Sequence, residues 1–232
     1  MGQYASVVRD DLHQPENTKN MKLSKTSKLG TYSWSLIARD TCPGSIDSQG
    51  GLVPACRGCY AVGGNYRFAN VKKPREHNRA DWQRDGWVQD MVEAIQHERY
   101  FRWFDSGDMY SIGLARKILQ VMQQTQDTKH WLPTRMHKFP KFHSVLSAME
   151  ALPNVRVRRS SDSVTGDYDA SVHGSVIYSQ SAPSGTHACP AYQQDGQCKS
   201  CRACYSKDIS VIAYQAHGKM MAKVVRLIAV GA

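Results

Sequence analysis

No apolar run in this 232-residue chain approaches the roughly 20 residues that span a bilayer, so no membrane helix is expected. The first residues carry no signal-peptide core, which points to a cytoplasmic, reducing compartment. Disulfides are disfavoured there, and clustered cysteines read as metal ligands or catalytic thiols. There is no Gly-x4-Gly-Lys-Ser/Thr loop and no Gly-x-Gly-x2-Gly after a strand, which excludes the nucleotide cradles built on those motifs. The nine histidines, among them His137, His143, His173, His187 and His217, stand apart without metal-hydrolase spacing and read as surface or structural groups. Neither a fixed-period repeat nor a low-complexity tract is present. Acidic residues are the scarcer charge, 20 Asp and Glu against 30 Lys and Arg, for a net charge of +10. That excess favours an anionic partner, a nucleic acid or nucleotide-like molecule.

No cysteine lies between Cys59 and Cys189, and this gap divides the seven into two groups: Cys42, Cys56 and Cys59, then Cys189, Cys198, Cys201 and Cys204. Four thiolates close a metal site, whereas three leave one coordination position open, where metal chemistry happens. Cys56-x2-Cys59 lets a tight turn aim two sulfurs at one metal, and Cys42 joins across thirteen residues. Two groups satisfy this donor set: a [4Fe–4S] cluster with one iron free to bind a small molecule, or a zinc ion completed by His77 or Asp40. In the second group, Cys198-x2-Cys201-x2-Cys204 with Cys189-Pro190 is closer to a ferredoxin run than to two separated zinc pairs. A second [4Fe–4S] cluster is therefore expected there, with zinc as the alternative.

Residues 1–29 are polar and mixed in charge and read as a flexible N-terminal arm or an edge segment. Residues 31–37 alternate and are rich in strand formers. From 78 to 98 the pattern is helical, with Val88, Met91, Val92 and Ile95 on one face. Strand-like runs at 100–104, 130–135 and 154–159 then alternate with two helices, one carrying Ile112, Ala115, Leu119 and Met122, the other Phe142, Val145, Leu146 and Met149. Segments 175–179 and 210–214 read as further strands and 219–228 as a closing helix. Such alternation implies β-α units and a mainly parallel sheet. The expected fold class is α/β, a partial (β/α)6-type barrel or, as the alternative, an open doubly wound parallel sheet, with a cysteine-rich C-terminal segment. The expected organisation is the arm 1–29, a barrel-like domain 30–185 holding the three-cysteine loop, and a four-cysteine segment 186–232 packed on the same domain. In either architecture ligands sit at the C-terminal ends of the strands, which directs attention to residues 105–108, 134–135 and 158–161.

The Cys56-x2-Cys59-Tyr60 clip after a first strand resembles the radical S-adenosylmethionine enzymes, in which a three-cysteine loop follows the first barrel strand and the free iron chelates the cofactor. The usual spacing is three and then two residues; here it is thirteen and then two, and the aromatic residue follows the last cysteine. The resemblance implies S-adenosylmethionine as cofactor, an electron donor, and a strand-end turn that receives the cofactor's ammonium group. Ser106, Gly107 and Asp108 stand at that place in chain order, with Tyr60 beside the clip. Helix capping by Asp108 or Ser111 is the alternative role. Arg135 and Arg158 end later strands, where a guanidinium suits a carboxylate or phosphate. The basic stretch 72–75, near Tyr66, Phe68 and Trp82, reads as phosphate contact with stacking or as a solvated helix face.

A closer resemblance rests on Ser33-Trp34-Ser35-Leu36, Cys42-Pro43-Gly44, Cys56-x2-Cys59-Tyr60-Ala61, Gly64-x-Tyr66 and Ser106-Gly107-Asp108-Met109-Tyr110-Ser111. Thr134-Arg135, Pro153-Asn154-Val155, Ser161-Asp162 and the cysteine-rich end continue it. In this order the motifs are similar to the bacteriophage "gene product 88" family over roughly residues 22–217. The resemblance implies a phage origin, hence a host-cell cytoplasm, and a compact radical-SAM-like barrel. The functional expectation is an iron–sulfur, radical-SAM-like enzyme acting on a nucleic acid or nucleotide-like substrate. A non-catalytic zinc protein that binds nucleic acid and a degenerate scaffold that sequesters a host protein are the alternatives.

Overall fold

The computed structural model describes residues 21–230. In chain order it places β1 (Ser24–Lys25), β2 (Tyr32–Trp34), α1 (Pro54–Arg57), α2 (Ala69–Asp81), α3 (Trp87–Ile95), β3 (Tyr100–Trp103), α4 (Ile112–Gln124) and β4 (Lys129–Thr134). Then come α5 (His143–Ala151), β5 (Val155–Arg159), β6 (Ser175–Tyr178), β7 (His187–Ala188), β8 (Ile212–Gln215) and α6 (Lys219–Val230). Five strands form one sheet in the order β1-β2-β3-β4-β5, the first pair antiparallel and the others parallel. A second, parallel sheet has the order β6-β8-β7 and adjoins the first through a single bridge, Ser160 to Ser175.

The fold is thus α/β with an open, mostly parallel five-stranded sheet. The expected barrel is not met among the described residues. The strands divide into two sheets, and β1 runs antiparallel along the outer edge of β2, covering backbone groups that ring closure would use. Of the expected arm, residues 1–20 lie outside the described residues; Ser24–Lys25 is that edge strand, and Asn78 Nδ2 donates to the Lys22 carbonyl at 3.0 Å.

Side-chain alternation gives the sheet two unlike faces. On one, Trp34, Phe101, Trp103, Leu132, Val155 and Val157 meet the apolar sides of α3, α4 and α5. Trp34 sits edge-on to Trp87 and Trp103, with ring centroids 5.3 and 6.3 Å apart. On the other face the cysteine-rich segment folds back, and Tyr205 packs against Tyr100 and Trp131 at 4.9 and 5.9 Å. The helical pattern expected over 78–98 is in fact two helices, α2 and α3, and α2 reaches back to Ala69 with Pro74 inside it. Its buried residues are Arg75 and Asn78, which are polar, so hydrophobic periodicity could not outline it. Pro133 is tolerated in the central strand β4 because pairing with β3 ends at Trp131, leaving only β5 alongside.

His130 is wholly buried on the helical side. Its Nδ1 accepts from Trp103 Nε1 at 3.2 Å, so the ring proton sits on Nε2, 2.9 Å from Thr125 Oγ1. Burial lowers its pKa from 6.5 to about 4. Between these values the unfolded chain binds a proton that the folded chain excludes, so stability falls as pH falls through that window. The shift corresponds to about 3 kcal/mol. Urea unfolding of the wild type and of His130→Gln should give stability curves that converge as pH falls from 6.5 to 4; parallel curves would remove His130 as the cause.

Candidate functional site

The C-terminal ends of β3, β4 and β5 open on a cavity of about 220 Å³. Three stretches wall it: the loop after β2 that brings Cys42, Cys56, Cys59 and Tyr60, the turn 104–108, and Pro133–Arg135 with Ser160. The first cysteine group and Tyr60, Ser106, Gly107, Asp108 and Arg135 therefore meet in one place.

The long loop is pinned along its length. Ser45 Oγ donates to the Cys42 carbonyl at 2.6 Å, and the Ala55 N–H donates to the Asp162 carbonyl at 2.9 Å. A Cβ on Gly44 would lie 2.5 Å from Arg135 Cβ, and one on Gly58 would lie 2.7 Å from Met221 Cα of α6. Contacts with distant residues thus replace the short connection that usually sets three-cysteine geometry. Beyond β3, Phe104 and Gly107 both adopt left-handed backbone, φ 55° and 77°, which turns the chain back over the strand ends. A Cβ on Gly107 would lie 2.6 Å from Leu36 Cβ, so this residue must be glycine for contact as well as conformation.

The two aspartates of the turn act differently. Asp105 accepts from Arg75 Nη2 at 2.9 Å on both oxygens and from the Tyr66 hydroxyl at 3.1 Å, while its carbonyl accepts from the Tyr60 hydroxyl at 2.6 Å. Burial opposes its charge, yet Arg75 and Arg102 hold its carboxyl below the ordinary range. Arg75 also donates through Nε to Ser106 Oγ at 2.7 Å, and that hydroxyl donates to the Leu36 carbonyl. Asp108 Oδ1 accepts from the Met109 N–H and the Thr134 hydroxyl, and Oδ2 from the Arg135 N–H, each at 2.8 Å. Burial raises its pKa to about 6 against these bonds. It ties the β3 turn to the β4 end where ladder pairing has stopped. Capping of α4 falls to Ser111, whose Oγ accepts from the Gly113 N–H. Arg135 pairs with Asp162 at 3.1 Å, and Lys138 reaches the same carboxylate at 2.6 Å.

All seven cysteines are free. Burial, then Asp108 and the other two thiols, push Cys42 up to about 12, and burial raises Cys56 despite Arg135. Among the described residues, no three His, Cys, Asp or Glu side chains converge as a single metal ion requires. His77 and Asp40 do not line the cavity: His77 lies by Asp81 and Asp40 by Arg79.

Cys189, Cys198, Cys201 and Cys204 gather around a second, much smaller pocket of about 10 Å³ together with His187. His187 Nε2 is 3.9 Å from Cys201 Sγ, and Cys204 Sγ is 3.2 Å from the Tyr214 hydroxyl. Burial pushes Cys204 up to about 11. His187, which looks isolated in a scan for histidine motifs, stands two positions before Cys189 on an extended segment, and that His-x-Cys spacing was the available signal.

Arg158 departs from its expected place beside a ligand, since it lines neither pocket. Strand alternation sends it to the inner face under the cysteine-rich segment, where all five of its N–H groups are used. Nε donates to the Cys204 carbonyl, Nη1 to Ile209 and Ser210, and Nη2 to Ala203 and Ser206, at 2.6 to 3.2 Å. The basic stretch is also divided: Lys72 and Lys73 are exposed, whereas Arg75 is buried in its ion pair.

A protein-family model described as Gene product 88 matches residues 11–207. No curated protein and no solved structure matches the chain. The clamp makes a measurable claim of its own. Arg158→Gln strands several buried carbonyls and should cost about 3 kcal/mol or more. Limited proteolysis should then cut first within 189–210, and an unchanged melting temperature would show the clamp to be dispensable.

Proposed function

The chain belongs to the gene product 88 family, and we propose that it is an iron–sulfur enzyme in which Cys42, Cys56 and Cys59 hold an open [4Fe–4S] cluster and S-adenosylmethionine enters the cavity beside it. The observation that carries this reading is that three thiols and no fourth line one cavity, at the C-terminal ends of parallel strands. The donor chemistry fits. Buried thiols held protonated need a metal's charge to ionise. Sulfurs distributed around a cavity, without convergence on one point, suit a group wider than a single ion.

When bound, such a cluster, recharged by an electron donor, supplies the reductive cleavage of S-adenosylmethionine. The chain supplies the rest. Gly107 lets the turn close against Leu36 and Thr41, and Ser106 holds it to the β2 end. Asp108 sets the separation of the β3 and β4 ends, and Arg135 borders the space with its charge shared with Asp162. The anionic partner would lie across the mouth. Tyr60 there is half-exposed, and on the segment that follows it in the chain Phe68, 60% exposed, is flanked in sequence by the exposed Arg67, Lys72 and Lys73. Stacking with phosphate contact suits a single-stranded nucleic acid.

A second reading, a zinc protein that binds nucleic acid without catalysis, is favoured by one observation. His187 lies with the four cysteines around one small pocket, and mixed nitrogen and sulfur donors are those of zinc, although no three of them converge on a point as they stand.

Purification without oxygen decides between these readings. The enzyme reading expects brown protein with iron and acid-labile sulfide, and loss of one cluster's iron when Cys42, Cys56 and Cys59 are all changed to Ala. Colourless protein carrying two zinc ions would end it. Single-stranded DNA should bind with a steep salt dependence, and Phe68→Ala should weaken it about tenfold. Unchanged affinity would take Phe68 out of the interface.

A further inference from the structure

The cavity wall contains a further cation. Arg102, on β3, projects from the face opposite the helices and lines the cavity. Its guanidinium carbon lies 4.5 Å from the centre of the Trp131 ring, within cation–π range. Its Nε is buried with no hydrogen-bond partner; the guanidinium otherwise meets the Tyr60 hydroxyl, a neutral acceptor, and among the described residues no carboxylate forms a salt bridge with it. Asp105 is within electrostatic reach, but its oxygens already serve Arg75 and Tyr66. Burial keeps the Tyr66 phenol protonated, so it offers no counter-charge. Of the other two guanidiniums of the wall, Arg135 shares Asp162 with Lys138, and Arg39 is exposed to solvent.

We infer that Arg102 is the anchor of an oxyanion subsite in this cavity, recognising the carboxylate or phosphate group of the molecule that enters. A buried charge with no carboxylate paired directly to it is unfavourable, and a guanidinium resting beside an indole offers its free N–H to an oxyanion. This subsite rests on the cavity being a binding site and is independent of the metal.

The test titrates the purified protein, at constant ionic strength, with inorganic phosphate and separately with acetate, by calorimetry and by the Nε–H resonance of Arg102. Saturable binding of at least one anion, with a shift of that resonance, is expected. Arg102→Gln should weaken it by about tenfold or more, and Arg102→Lys by less, since it keeps charge without the fork. Tighter phosphate binding marks a phosphorylated ligand and tighter acetate binding a carboxylate. An unchanged affinity in a folded Arg102→Gln protein would overturn the subsite. If that variant fails to fold, the wild type still decides: no saturable heat and no shift with either anion overturns it. Iron measured on the same samples separates the two claims. Anion binding at Arg102 in iron-free protein supports the subsite while sinking the cluster reading, and iron-loaded protein that binds neither anion does the opposite.

Discussion

A guanidinium buried without a carboxylate governs the arrangement of this protein. Arg158 stands on the inner face of the sheet and spends every N–H on carbonyls of one returning segment. Burial lowers its pKa only to about 10, so it keeps its charge at neutral pH. Carbonyl dipoles, not an ion pair, satisfy that charge, and they do so only when residues 203–210 follow one path. That path places Tyr205 on Tyr100 and Trp131 and gathers Cys189, Cys198, Cys201 and Cys204 around their pocket. The sheet then has one oily face under helices and one cationic, aromatic face under a loop-rich segment.

The two cysteine groups differ in how their surroundings are built. The group of four sits in turns of one segment with one histidine, closed by Leu29, Ile212 and the Cys198 N–H bond to the Lys28 carbonyl. The group of three depends on ties between strand ends, with Asp108 holding β3 to β4 and Arg75 holding the turn through Asp105 and Ser106. Rigid polar ties around a space left open are the arrangement expected of a binding cavity.

Much of this was legible in the sequence. The strands at 100–103, 129–134 and 155–159 and the helices α4 and α5 carry clear periodicity, and the topology rule for strand ends directed attention to residues 105–108 and 134–135, which do line the cavity. What escaped did so for physical reasons. Helix α2 buries Arg75 and Asn78 and so lacks an apolar stripe. Strands β1 and β7 are two residues long, below what alternation can reveal. Arg158 ends the expected strand but serves the returning segment and no ligand, because strand period gives a face and not its occupant. Arg102 carried no signal at all, since a single arginine in an aromatic run has the same pattern whether it meets solvent, an acid or empty space.

The wall of the first cysteine group reaches across nearly the whole described chain. Gly58 packs on Met221 of α6, and the Ala55 N–H needs the Asp162 carbonyl. Although its cysteines are translated early, this site is complete only after α6 has left the ribosome, whereas the later group draws its surroundings from residues made no later than β8. Long-range closure of this kind is slow relative to local folding. The order of maturation therefore runs opposite to the order of synthesis: the cysteines made first are the last to acquire their finished surroundings.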